Sequence, residues 1–274
     1  MEAFFLPAAS GQRFCLLHTP PAGQPTRGGL VYIHPFAEEL NRSRRMATLQ
    51  ARAFANAGYA VLQMDLHGCG DSAGDFANAS WESWVSDVTL ARQWLADRLN
   101  CREDALWLWG LRVGCLLVAE LASRSSDPAG NLLLWQPVLS GLQHLNQFLR
   151  LKMAADLVQG KRSSGTEAWA QQLATGQPVE VAGYALSPAL AQGLALAKLG
   201  NISPASRVLC FEVAGTASAS LSPALSAQLV RWQTAGCAAT GQSIEGPLFW
   251  QTVESELCPA LIDASLAAVL GGAN

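Results

Sequence analysis

The sequence predicts an α/β fold, a doubly wound and mostly parallel sheet with helices on both faces. Three observations carry this expectation. Four compact apolar runs, "LVYIH", "YAVLQMD", "ALWLWG" and "NLLLWQP", follow one another up to Pro137, each fit for a buried central strand. Stretches with helical spacing lie between them, the alternation that builds parallel sheets. Half of the 274 residues are hydrophobic and only 14% are charged, so the chain can bury a large core.

The elements follow in order. "EAFFLP" and "QRFCLLHT", separated by "AASG", read as two antiparallel edge strands, and "PPAGQPTRGG" is a turn-rich connection. "LVYIH" is the first parallel strand. The helix "SRRMATLQARAFANAG" follows, with Ser43 as its expected N-cap and Gly58 as its stop. After "YAVLQMD" comes the long amphipathic helix "SWESWVSDVTLARQWLADRL", with Ser80 and Ser83 as a cap signal. "ALWLWG" leads into the apolar helix "VGCLLVAELAS", then "NLLLWQP". The alternation then lapses. "LNQFLRLKMAADLV", "GTEAWAQQLA" and "YALSPALAQGLALAKLG" are largely helical, with "PVEVAGYAL" a short strand at most. The simplest reading is a cap insertion at 141–204 between two parts of one core, 1–140 and 205–274. The second part holds the strand "RVLCFEV", the helix "SPALSAQLVRWQTAG", the weak strand "AATGQSIEG" and the helix "TVESELCPALIDASLAAVL".

Composition excludes several functions. The net charge is −3 and the only basic cluster is Arg42, Arg44 and Arg45, too little to grip a nucleic acid. Seven scattered cysteines without a CxxC argue against a disulfide scaffold or a structural zinc site and for a reducing compartment. "MEAFFLPAASGQRF" does not read as an export signal, and no apolar run has membrane-spanning length. The expectation is a cytoplasmic protein without a transmembrane segment. No ligand set at diagnostic spacing suggests a metal, and neither glycine-rich nucleotide signature is present, so no cofactor is assigned.

Sites on parallel sheets form where strands end. After the first parallel strand, "HPFAEELNRSRR" places His34, Phe36, Glu38, Glu39 and Arg42 in a loop that serine hydrolases use for an oxyanion-hole N–H. His34 equally suits a strand-end backbone hydrogen bond. After the second comes "DLHGCGDSAGDF", with His67, Asp71 and Ser72 among glycines that usually serve turns. After the third, Gly110 and Gly114 flank Leu111, Arg112 and Val113. Small residues at both ends suit the sharp strand-to-helix elbow that presents a nucleophile, yet the middle residue is arginine. A guanidinium stays protonated and does not attack a carbonyl. Arg112 therefore either binds an anion at the helix N-terminus or pairs internally with Glu38, Glu39 or Glu245. Cys115, among apolar neighbours, reads as a core thiol. The other members of a Ser-His-Asp set are also absent where expected. All four histidines lie at or before position 144, so none follows the last strand, where Gly246–Trp250 stands instead. No acid follows "RVLCFEV" in "AGTASASLS", and Glu212 lies inside that strand. His34 or His67 beside Ser72 is the remaining arrangement for a relocated catalytic site.

"HPFAEELNRSRR", "DLHGCGDSAGD", "LWGLRVG" and "GPLFWQTVE", in that order, resemble the second of the two α/β-hydrolase-fold proteins associated with the exosortase A system. The likeness runs over nearly the whole chain. It implies an α/β-hydrolase fold with a cap and a cytoplasmic bacterial protein. It also implies a setting of exopolysaccharide synthesis and sorting of proteins with a Pro-Glu-Pro (PEP-CTERM) signal. The superfamily implies ester, thioester or amide hydrolysis, but its nucleophile position falls on Arg112 and its histidine on the Gly246–Trp250 loop. The combined expectation is a pseudoenzyme that binds a small anionic or acyl ligand, or a protein partner. Its site is formed by Arg112, Leu111, Phe36, Glu38, Glu39, Arg42, Glu245 and Trp250. Two alternatives stand beside it. One is an acyl hydrolase with a relocated site. The other is a structural partner in an envelope assembly, which exposed Trp81, Trp84 or Trp169 would favour.

Overall fold

The computed structural model describes residues 1–124, 130–158, 165–200, 202, 207–215, 220–252, 254 and 256–271. Eight strands form one sheet: β1 (Glu2–Ala8), β2 (Gly11–His18), β3 (Gly28–Ile33), β4 (Tyr59–Met64), β5 (Trp107–Leu111), β6 (Asn131–Trp135), β9 (Arg207–Ala214) and β10 (Ala238–Glu245). Their order is β1-β2-β4-β3-β5-β6-β9-β10. β1 and β2 form a hairpin and β2 runs antiparallel to β4, while every pairing from β4 to β10 is parallel. This is the α/β-hydrolase fold.

The central strands are buried on both faces, which explains their unbroken apolar runs: β5 and β6 expose almost nothing. One face packs on α1 (Glu38–Asn56) and α8 (Pro259–Leu270) through Phe54, Trp109, Trp135, Phe249 and Leu261. The other packs on α2 (Trp81–Leu99), α3 (Gly114–Arg124) and α7 (Pro223–Thr234). Between β6 and β9 the chain leaves the sheet. There it forms α4 (Gly141–Val158), α5 (Gly165–Ala174), the hairpin β7 (Val179–Val181) and β8 (Tyr184–Leu186), and α6 (Pro188–Leu196). The expected cap also includes 159–164, 201, 203 and 204, which lie outside the described residues.

Two local expectations need correction. α1 begins at Glu38, not at Ser43, whose hydroxyl lies inside the helix and donates to the Glu39 carbonyl at 2.6 Å. No side chain caps this helix. Ala37 turns the chain at φ 49°, and Glu38 and Glu39 complement the positive end of the helix dipole. "PVEVAGYAL" is a two-stranded hairpin rather than a lone strand. The α2 start, by contrast, is a full capping box. Ser80 Oγ accepts from the Ser83 N–H, and Ser83 Oγ accepts from the Ser80 N–H.

Trp81, Trp84 and Trp169 are all buried, so none supplies the exposed aromatic surface that a docking role would favour. Trp84 instead packs within the α2 face of the core and donates its indole N–H to the His67 carbonyl. No helix among the described residues is long and apolar enough to cross a membrane. None of the seven cysteines is in a disulfide.

Candidate functional site

The elbow after β5 has the geometry its glycines suggest. Arg112 adopts φ 55°, a left-handed conformation that costs a non-glycine residue energy and is held by its surroundings. Its backbone N–H donates to the Trp135 carbonyl, and its own carbonyl accepts from the Cys115 N–H. A Cβ on Gly114 would stand 2.3 Å from the Ile33 carbonyl oxygen, and one on Gly110 would stand 2.7 Å from the Cys115 nitrogen. Strand, elbow and α3 therefore touch through backbone alone.

The Arg112 side chain enters a pocket of about 540 Å³ between the sheet's C-terminal edge and the cap. Its Nε and Nη2 both stand 3.2 Å from Glu39 Oε1, and its guanidinium lies over the Trp250 ring, 5.7 Å from the centroid. Trp250 occupies the loop after β10, where a serine hydrolase carries its histidine. Elbow and loop thus meet through a cation on an indole face.

Around this pair the walls are mainly apolar: Phe36, Phe148, Leu151 and Trp250. Phe36 meets Phe148 edge to face at 4.9 Å and His144 at 5.8 Å. Three polar atoms of lining residues, all shielded from solvent, have no hydrogen-bond partner: Glu39 Oε2, His144 Nδ1 and Trp250 Nε1. Burial raises the Glu39 carboxyl pKa above the ordinary glutamate value, and Arg112 acts against that rise. Burial, and secondarily the Arg112 charge, lowers the His144 pKa to about 3, so its imidazole is neutral. The rim ties the cap to α1. Tyr184 Oη donates to Glu38 Oε2 at 2.9 Å, Asn41 Nδ2 donates to the same oxygen at 3.2 Å, and Arg42 donates to the Gln251 carbonyl.

Of the expected site residues, Arg112, Phe36, Glu38, Glu39, Arg42 and Trp250 line this pocket. Two do not. Glu245 is exposed at the end of β10, and Leu111 is buried within β5. Of the three proposed partners for Arg112, Glu39 is the one it meets. Sequence reasoning did not place His144, Gln147, Phe148 or Leu151 here. They share one side of α4, and their spacing of three and four residues was the available signal.

The relocated catalytic arrangement is not assembled. His34 Nε2 accepts from the Leu66 N–H at 3.1 Å, and its Nδ1 lies 2.7 Å from the Pro35 carbonyl. Ser72 Oγ donates to the Asp65 carbonyl and accepts from the Phe14 N–H. His67 Nδ1 lies 3.3 Å from Ser10 Oγ, not against Ser72. These are turn and strand-end roles, and none of the three lines the pocket. The one carboxylate near the expected acid position, Glu212 inside β9, is likewise engaged. Glu212 accepts from both the N–H and the Oγ of Ser222, each at 2.6 Å, holding the start of α7. Residues 216–219 of that loop lie outside the described residues. Burial raises the Cys115 pKa well above the ordinary thiol value and keeps it protonated and inert. Among the described residues, no three of His, Cys, Asp and Glu come together to hold a metal ion.

Fold and elbow define an α/β-hydrolase-fold protein. The family model described as "Serine aminopeptidase, S33" matches residues 24–201, well over half of the chain, and the chain belongs to that family. No curated protein matches it. Among solved structures it is similar to Est1E from Butyrivibrio proteoclasticus with ferulic acid bound, at 16% identity, 98% coverage of each chain and TM-score 0.66. It is also similar to XC6422 from Xanthomonas campestris, described as an α/β serine hydrolase without a lid. The identity there is 15%, with 98% of this chain and 92% of that one covered and TM-score 0.55. The α/β hydrolase GrgF from Penicillium matches at 15% identity, covering 98% and 95%, with TM-score 0.59. At such identities these likenesses speak for the fold alone.

Proposed function

We propose that this protein has kept the hydrolase fold and given up serine-hydrolase chemistry. It uses the elbow pocket to bind a small ligand, with Arg112 as anchor. The observation that carries this reading is the content of the nucleophile position. Arg112 points into the pocket, paired with Glu39 and stacked on Trp250 where the general base would stand. A guanidinium supplies donors but neither a nucleophile nor a base. The apolar walls offer room for the body of a ligand, and the ion pair offers a polar floor. An anionic group on Arg112 is the simplest ligand for a guanidinium at a helix N-terminus, although here it competes with Glu39.

The motif resemblance supports a bacterial, cytoplasmic role beside exopolysaccharide synthesis and sorting of proteins with a Pro-Glu-Pro signal. Binding of an intermediate or an acyl group from that chemistry fits a pseudoenzyme. Acyl hydrolysis from a relocated site would need a serine and a histidine in reach at the pocket, and Ser72, His34 and His67 are committed elsewhere. A role as a structural partner alone draws no support from the buried tryptophans.

The test has two arms. Purified protein is assayed against acetyl to octanoyl p-nitrophenyl esters and acyl thioesters, and separately titrated with small carboxylates, phosphate and acyl phosphates. The expected result is no turnover above buffer and saturable binding that Arg112→Ala abolishes. Turnover that survives Arg112→Ala and disappears in Ser72→Ala would overturn the proposal. In a bacterium carrying the gene, deletion is expected to lower exopolysaccharide yield, with no rescue by the Arg112→Ala protein.

A further inference from the structure

Among the described residues, seven large apolar side chains are strongly exposed, and four of them belong to the segment between β6 and β9. These are Leu142 (50%), Leu151 (55%) and Leu157 (64%) on α4, and Leu196 (75%) on α6. The start of α4 meets the end of α6. The Gly141 N–H donates to the Ala197 carbonyl at 3.0 Å and Ser140 bridges to Lys198, so Leu142 and Leu196 stand at one junction. The other exposed side chains of α4 are Gln143, Gln147, Arg150, Ala154 and Ala155, with no acid among them. The one acid of the helix, Asp156, is part-buried and meets Lys152 at 3.5 Å. Arg150 and Lys198 are exposed and meet no acid among the described residues. Charge is divided along the sequence in the same sense. Residues 141–204 hold five basic and three acidic residues, whereas the rest of the chain holds 13 basic and 18 acidic. All three lysines of the protein, Lys152, Lys161 and Lys198, fall in this segment, Lys161 outside the described residues. Its remaining acids, Glu167 and Glu180, sit on α5 and β7, not on α4 or α6.

Scattered exposed leucines are ordinary, but a cluster of them flanked by one sign of charge marks an interaction surface. At a bilayer, leucine side chains enter the boundary between headgroups and acyl chains, while lysine and arginine stems lie along it and set their charges on lipid phosphates. A few apolar side chains or a few charges alone hold weakly, and the two together hold a peripheral protein. We propose that the face made by α4 and the end of α6 docks on an anionic lipid surface. Leu142, Leu151, Leu157 and Leu196 enter the headgroup layer, and Arg150 and Lys198 meet the phosphates. Attachment is peripheral and reversible, since no helix among the described residues is long and apolar enough to span. Gln147 and Leu151 also line the elbow pocket, so its mouth lies on the docked side. Docking does not require a ligand in that pocket.

Vesicle sedimentation tests this with the full-length protein. Vesicles of phosphatidylcholine alone are compared with vesicles of phosphatidylcholine and phosphatidylglycerol in equal parts, at about 0.1 M and about 0.5 M salt. The mixed vesicles should bind at least about tenfold more tightly than phosphatidylcholine alone, and the higher salt should weaken that binding at least about threefold. Leu142→Ser with Leu196→Ser, and separately Arg150→Gln with Lys198→Gln, should each lower affinity for the mixed vesicles at least about tenfold. Val230→Ser removes an exposed apolar side chain on α7 and should leave it unchanged. No binding of the wild-type protein to the mixed vesicles overturns the proposal, whether or not the variants fold. So does binding that survives the leucine changes, which is adsorption by charge alone, and so does an equal loss in Val230→Ser. Light scattering covers the remaining occupant. A wild-type dimer that becomes a monomer in Leu142→Ser with Leu196→Ser assigns the face to a second copy of the chain and overturns the lipid reading.

Discussion

Arg112 and Glu39 are 14% and 18% exposed in their side chains, so each holds the other's charge in a largely dehydrated place. Replacing Arg112 with Ala leaves both Glu39 oxygens without the guanidinium and is expected to cost about 1–3 kcal/mol of stability. Equilibrium urea unfolding of Arg112→Ala, Glu39→Gln and the double variant would show it, the double costing less than the sum of the singles. A serine placed at the elbow is not expected to create an esterase. Arg112→Ser should show neither a burst nor turnover with p-nitrophenyl acetate, because Trp250 cannot take its proton and Glu212 is bound to Ser222. His144 sets a pH signature. Its pKa in the fold is about 3, against an ordinary value of 6.5, so between these values the unfolded chain holds a proton that the folded one does not. Stability therefore falls as pH drops from about 6.5 toward about 3. Burial lowers the pKa values of His18, His34 and His67 as well, adding in the same direction. Unfolding free energy measured across that window should lose up to about one proton's worth of slope in His144→Gln.

At the scale of elements, the elbow depends on two residues without side chains. Gly114→Ala drives a methyl group into the Ile33 carbonyl, a backbone atom that cannot rotate away. A loss of about 3 kcal/mol or more is expected, read as a lower urea midpoint at unchanged slope. Ser80→Ala removes one half of the α2 capping box and should cost about 1 kcal/mol by the same measurement. These elements were legible beforehand because their signals are local: unbroken apolar runs for β3 to β6, glycines at 110 and 114, serines at 80 and 83. The start of α1 was not legible. Ala37 at φ 49° is no sequence signal for an N-terminus, and Ser43 offered a false one. The pocket wall from α4 was missed for a related reason. Phe148 and Leu151 lie in a stretch that reads only as helical, His144 falls just before it, and which side of the helix faces the elbow depends on how the cap lies over the sheet.

Across the whole molecule, the link between cap and core at the pocket rim is polar and thin. Tyr184 on β8 reaches Glu38 on α1, with Asn41 bridging both. Tyr184→Phe should leave global stability within about 1 kcal/mol, because these groups are exposed and water can replace the lost bond. Amide hydrogen exchange over 179–186 should quicken, while β3 and β5 stay protected. Phe36, Arg112 and Trp250, from loops distant in sequence, line one pocket because a parallel sheet gathers its strand ends at one edge. Glu245 did not join them. It closes β10 near the sheet's far edge, away from β5, and strand order cannot be read from strand count.

Six of the seven thiols are buried, and burial pushes the pKa of Cys15 up to about 12 and raises that of Cys69, Cys115 and Cys210. The fold thus carries its own opening clock. A thiol-labelling reagent added to the native protein should react first at Cys101, which lies near the surface at the end of α2. Each further cysteine modified then times the release of the strand or helix that shields it.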